Sequence, residues 1–198
     1  MNFSTIKKLA ITSAVALTLT VGGQTQAQVT TTISATFTTA AGLATAGVTG
    51  LDFGTWAINV AGGDTLTLPL LSTNSGAAPA VPVCAGVVDA ATVCTNTVAP
   101  AQTGEVTVTS PITGNVQVQG NVTTDFADAN LSLGSLTFTD GTSTNTALPA
   151  AYDGATFVNV TTAAVAERVG IGGTLTITNT PADTTVFNDA VVEIGFTY

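Results

Sequence analysis

The sequence predicts an all-β protein, an immunoglobulin-like Greek-key β-sandwich, and three observations carry that expectation. Apolar residues alternate with Thr, Gln or Ser over short runs such as EVTVTS, NVQVQGNV and SLTFTD. Turn-forming stretches, SPITGN, TTDFADAN and DGTSTN, separate these runs. Nothing beyond residue 27 repeats apolar residues at helical spacing. With 45% hydrophobic and only 8% charged residues, the chain is dominated by small and β-branched side chains that suit a pleated surface.

Residues 1–27 read as a secretory signal: Lys7 and Lys8 form a basic start, LAITSAVALTLTV an apolar centre, and TQA a small-residue site with cleavage expected after Ala27. No Cys adjoins that site for lipid attachment, and no later segment is long and apolar enough to span a membrane as a helix. The expected product is secreted, extracellular or at the cell surface. Residues 28–41 hold a strand and the start of a tether. In QVTTTISATF, Val29, Ile33, Ala35 and Phe37 share one face, and TTAAGLATAGVTG after it reads as flexible.

Residues 42–198 are expected to form a single sandwich. In LDFGTWAINV, Leu51 and Phe53 share a face until Gly54 shifts the phase to Trp56 and Ile58, which predicts a bulge. DTLTLPL aligns Leu66, Leu68 and Leu70, with Pro69 indicating an edge strand or a strand end. Residues 72–102, rich in Ala, Pro, Ser and Thr, read as a loop insertion pinned by Cys84 and Cys94. Strands follow through Val106 and Val108, through Val116, Val118 and Val122, and through Leu136 and Phe138. ATFVNVTT, GTLTITNT and AVVEIGFTY complete the set.

Charge and residue types narrow the chemistry. The formal charge of −9 becomes more negative once Lys7 and Lys8 leave, because Arg168 is then the sole cation. Such a surface repels phosphates, so nucleic-acid binding is not expected. Cys84 and Cys94 are expected to form a local disulfide in an oxidising compartment, contributing about 2–3 kcal/mol. With no His in the chain, two thiolates do not complete a zinc shell. The same lack of His, and of Lys after cleavage, removes Ser-His-Asp, Cys-His and Ser-Lys nucleophile systems and Lys-Asn isopeptide crosslinks. The carboxylates sit mostly at turns, where Asp hydrogen-bonds its own backbone; a glycosidase-like pair is the one acid-base arrangement left. Asp125, Asp128 and Asn130 of DFADAN could offer oxygens to calcium, but their spacing matches no loop motif and a solvated turn is preferred. DFG at Asp52 to Gly54 lacks every other kinase motif, and VGIGG, leading into a strand pattern, reads as a turn. The expectation is a non-enzyme without cofactor or metal.

The closing EIGFTY alternates like the last strand of an outer-membrane barrel, yet 6% aromatic residues are too few for girdles. Taken together, LDFGTWAI, VGIGGTLTI and VVEIGFTY resemble the secreted bacterial β-sandwich family catalogued as domain of unknown function four-four-zero-two. The family's Gly-x-Tyr-x-Gly before the last strand is replaced here by TVFNDA. The resemblance implies a bacterial surface or extracellular protein with a pilin-like or adhesin-like sandwich and no catalytic residues. A looser likeness to donor-strand pilins rests on the signal, the N-terminal strand, the tether and the all-β body. The function expected is a structural subunit whose residues 28–38 insert Val29, Ile33, Ala35 and Phe37 into a neighbour's groove. Head-to-tail repetition of copies of itself would build a fimbrial filament, helped by a periplasmic chaperone or outer-membrane assembly protein. The strand pattern serves equally well as the first strand of its own sandwich. The alternative function is a monomeric adhesin or carbohydrate-binding module contacting through residues 72–102, a stretch without aromatic residues.

Overall fold

A strand that alternates apolar and polar residues can bury only one face, and this chain meets that requirement by facing two sheets toward each other. The computed structural model describes residues 27–39, 42–73, 82–98, 101–181 and 187–198; residues 1–26 of the expected signal lie outside the described residues. Within them are β1 (Ala27–Thr39), β2 (Ala44–Thr49), β3 (Leu51–Asn59), β4 (Leu66–Leu70), β5 (Val93–Val98) and β6 (Gly104–Thr109). The second half holds β7 (Gly114–Thr124), β8 (Leu131–Thr139), β9 (Thr146–Ala147), β10 (Phe157–Val160), β11 (Ala166–Ile177) and β12 (Val191–Thr197), with no helix among the described residues.

One sheet runs β10-β7-β12-β1-β3-β5 and the other β2-β6-β11-β8-β9, with β4 pairing β11 beyond the end of β6. The fold is all-β and consistent with a β-sandwich. Inward residues alternate as the sequence foretells: Val116 and Val118 on β7, Val192, Ile194 and Phe196 on β12, Val106 and Val108 on β6 and Ile171 and Leu175 on β11 are all buried. These residues, with Phe53, Trp56 and Phe138, belong to one continuous apolar core. The bulge in β3 is present. Thr31 pairs with Gly54 and Thr32 with Asp52, leaving Phe53 as the extra residue, while Gly54 takes a φ of 81°. The Trp56 indole N–H donates to Phe53 O at 2.7 Å and closes the kink.

Three stretches differ from the sequence expectation. VGIGG is no turn: Val169 to Gly173 lie in the middle of β11, where β8 pairs on one side and β6 and β4 share the other. Gly170 and Gly172 are there because the chain leaving β4 crosses directly over them. A Cβ on Gly170 would stand 1.9 Å from Thr73 O, and one on Gly172 would stand 2.3 Å from Leu70 O. The crossing is fixed by Ser72, whose N–H donates to Asn145 Oδ1 at 2.7 Å and whose hydroxyl lies 2.7 Å from Thr139 Oγ1. The stretch read as a tether forms β2 from Ala44 onward, paired with β6 and held by Thr107 Oγ1 donating to Ala46 O. Its side chains are largely exposed, so no apolar alternation announces it. Finally, the stretch read as an insertion supplies β5, an edge strand on β3; residues 74–81 and 99–100 lie outside the described residues.

The expected disulfide is formed between Cys84 and Cys94. Cys94 stands opposite Ile58 in β5, whereas Cys84 precedes Ala85, which exchanges backbone hydrogen bonds with Thr67 of β4 at 2.9 and 3.0 Å. The bond thus ties a segment attached to one sheet to a segment attached to the other, a strap along one side of the sandwich. Replacing both Cys84 and Cys94 by Ser should lower unfolding free energy by about 3 kcal/mol, the loop-closure value for a span this short. Urea unfolding with and without reductant measures it.

Candidate functional site

β1 is the element with the most unusual pairing. Its first half, Ala27 to Ile33, runs antiparallel to β3; its second half, Ser34 to Thr39, runs parallel to β12. Among the described residues no other strand connects those neighbours. Without β1 the sheet divides into β10-β7-β12 and β3-β5. The site is therefore a slot with two walls, and β1 fills it.

Of the residues the sequence assigns to the strand's buried face, Ile33 is fully buried and sits opposite Leu51. Ala35 is partly buried against the core and sits opposite Val192. Val29 and Phe37 take the register positions opposite Trp56 and Ile194, their side chains lying outside the described set. In this single chain the slot is filled by the chain's own β1.

The sandwich has two distinct ends. Where β1 begins, the turn at Gly62 and Gly63 meets the disulfide loop: the Asp64 carboxylate accepts from the N–H groups of Val88 and Asp89, both at 2.9 Å. Those two bonds and one from the Thr92 hydroxyl hold the Asp64 carboxyl below its ordinary value. The same end carries the β7–β8 turn, where Asp125 Oδ1 accepts from Phe126 and Leu133, Asp128 Oδ1 accepts from Asn130 N–H, and Asp189 Oδ2 accepts from Ala127 N–H. Asp125, Asp128 and Asn130 thus lie in one turn, whose backbone Asp125 and Asp128 cap.

At the opposite end β1 finishes beside Phe196, and the chain turns at Gly42 under Tyr198 and Pro111. Ser110, fully buried, organises this end: its hydroxyl donates to Ile112 O at 2.7 Å and lies 3.5 Å from the Tyr198 hydroxyl, and its carbonyl accepts from Ala164 N–H. Ile112, Val165 and Tyr198 are left exposed there. The alternation reading missed this group. An Ile inside the otherwise polar turn SPITGN was the available signal.

Elsewhere the carboxylates also cap turns. Asp140 is nearly fully buried and accepts from Thr142 N–H and hydroxyl, Ser143 N–H and, through its other oxygen, Asn159 N–H. Burial pushes its pKa up, but those hydrogen bonds outweigh burial and hold it below the ordinary 3.8. Asp153 is lowered by the N–H groups of Ala155 and Thr156 and the Thr156 hydroxyl. A folded pKa below the unfolded one contributes stability above the unfolded value, and that stability is lost as pH falls through the folded value. Thermal midpoints should therefore be flat near neutrality and fall below about pH 3.8, and Asp140→Ala should blunt the acid limb while costing about 2–3 kcal/mol at neutral pH. Melting curves across pH check both.

The Arg168 guanidinium pairs with Glu105 at 3.1 Å across β11 and β6. No group of three or more His, Cys, Asp or Glu side chains able to hold a metal occurs among the described residues, and no described helix is long and apolar enough to cross a membrane. No family model, no curated protein and no solved structure matches this chain.

Proposed function

We propose that this protein is a secreted, pilin-like structural subunit with an immunoglobulin-like sandwich, and that it builds an extracellular filament by donating β1 to another copy. The observation that carries the reading is the slot: one terminal strand joins two otherwise separate halves of a sheet, with its own fully buried anchor at Ile33. A strand added along bare sheet edges gains affinity from main-chain hydrogen bonds and specificity from alternate side chains, so a slot filled in cis accepts the same strand in trans. The parallel pairing of the first strand with the last supports the immunoglobulin-like arrangement. The disulfide supports an oxidising, extracytoplasmic setting.

The test is electron microscopy and size-exclusion chromatography of the chain from Gln28 onward. Concentration-dependent oligomers or filaments are expected. A chain that stays monomeric at every concentration and refuses a labelled 28–38 peptide overturns the proposal. That result would favour the second reading, a monomeric adhesin or carbohydrate-binding module contacting through residues 72–102, among whose described residues Val83, Val87 and Val88 are exposed.

A further inference from the structure

Three Asn-x-Ser/Thr patterns follow residue 27: Asn121-Val122-Thr123, Asn130-Leu131-Ser132 and Asn159-Val160-Thr161. This is the acceptor pattern for attaching a glycan to an asparagine amide in an exported chain. Ser and Thr are so common here that the pattern alone decides nothing; position decides. A transferase must draw the acceptor into its own cleft, and a residue within a paired strand comes free only when the sheet unzips. Asn121 lies inside β7, opposite Glu193 of β12. Asn159 lies inside β10, opposite Asn115 of β7, and its N–H donates to Asp140 Oδ2 at 3.0 Å.

Asn130 is placed differently. It closes the turn between β7 and β8 and is partly exposed, and its side-chain amide makes no hydrogen bond among the described residues. Its backbone is held by both neighbours: its N–H donates to Asp128 Oδ1 and its carbonyl accepts from Thr178 N–H, each at 2.9 Å. The amide is thus presented on a fixed turn with nothing competing for it. Leu131 and Ser132 are the first two residues of β8, opposite Ile177 and Thr176, so engaging the whole pattern asks only a strand end to fray. On the other side of β8, β9 pairs with Thr137 and Phe138, well past Ser132. Asn130 is also the one acceptor of the three with an acidic residue two places ahead, Asp128, an anionic handle for a cationic group on a transferase.

We infer that Asn130 is a glycosylation site, the acceptor of an oligosaccharide from a lipid-linked diphosphate donor. In the transfer, Asn130 Nδ2 bonds to C1 of the first sugar while the bond from C1 to the diphosphate oxygen breaks. The lipid diphosphate leaves with that electron pair, and one amide proton passes to a base on the transferase. This rests on the extracytoplasmic part of the proposed function and is independent of strand donation.

The test is mass spectrometry of the chain recovered from outside the cells that naturally make it. A protease cutting before Asp releases residues 128–139, and that peptide should carry an added mass that fragments in steps of one sugar. Asn130→Gln and Ser132→Ala should each abolish the added mass, whereas Asn121→Gln and Asn159→Gln should leave it. Asn130→Gln deletes no hydrogen bond of the described residues, so its unglycosylated form should melt with the unglycosylated parent chain. An exported chain that begins at Gln28 with residues 128–139 unmodified overturns the inference while leaving secretion standing. So does a glycan that persists in Ser132→Ala, or one found on Asn121 or Asn159 instead. A chain retained in the cytoplasm with residues 1–27 still attached removes the secreted reading and the inference with it.

Discussion

A chain lacking residues 27–39 should lose its cooperative unfolding transition and recover it when a synthetic peptide of residues 28–38 is added. The expected loss is large because three costs coincide. The sheet divides between β12 and β3, seven register positions with β3 and six with β12 disappear, and the pocket around Ile33 opens to water. Burying one Ile contributes about 1.5–3 kcal/mol, and each ladder hydrogen bond adds about 0.5–1.5 kcal/mol. Together they rival the 5–15 kcal/mol of a typical domain. Recovery by the peptide is the informative part: it shows that the slot accepts a strand not covalently attached to it. A point variant keeps the result interpretable if the truncated chain aggregates. Ile33→Asp places a carboxylate in a fully buried position and should cost about 4 kcal/mol, and a 28–38 peptide carrying the same change should fail to rescue. A truncated chain that melts like the parent would mean that β1 adds nothing to the sandwich.

Gly170→Val should be nearly as damaging, and for a different reason. The Cβ would stand 1.9 Å from Thr73 O and 2.5 Å from Thr73 C, both backbone atoms of a segment pinned by Ser72, Thr139 and Asn145. Neither the central strand β11 nor the pinned crossing can yield locally. Overpacking of ordinary side chains costs about 1–3 kcal/mol, and a clash with backbone exceeds that range. Gly63→Ala offers the contrast: open space surrounds that position, and the cost comes from its φ of 80° alone, about 1 kcal/mol. Chemical denaturation of the two variants side by side measures the difference.

Those two sites mark where sequence reading reaches and where it stops. Alternation found β1, β3, β4, β6, β7 and β12 because each buries one face against the core, and burial is what imprints a period of two. The phase change at Gly54 was legible for the same reason, since Phe53 and Trp56 both had to reach the interior. β2 left no such imprint, being exposed along its described side chains and held by backbone hydrogen bonds with β6. VGIGG was misread because its glycines answer a contact with Thr73 and Leu70, about a hundred residues earlier, and local pattern carries no record of what crosses a strand. Of the candidate site, that residues 28–38 form a strand was legible and the two walls were not. Which strands flank β1, and that its two halves pair differently, follow from tertiary topology.

The strand that carries the ion pair of Arg168 with Glu105 also governs how proteases meet this chain. From residue 27 onward Arg168 is the single basic residue, so enzymes that cut after Lys or Arg have one target. It sits inside β11, with its backbone in register against Thr107. A protease needs several residues of extended, unpaired chain in its cleft, and β11 cannot supply them without parting from β6 and β8. Digestion by such an enzyme would therefore track the population of unfolded molecules and yield two fragments split after residue 168.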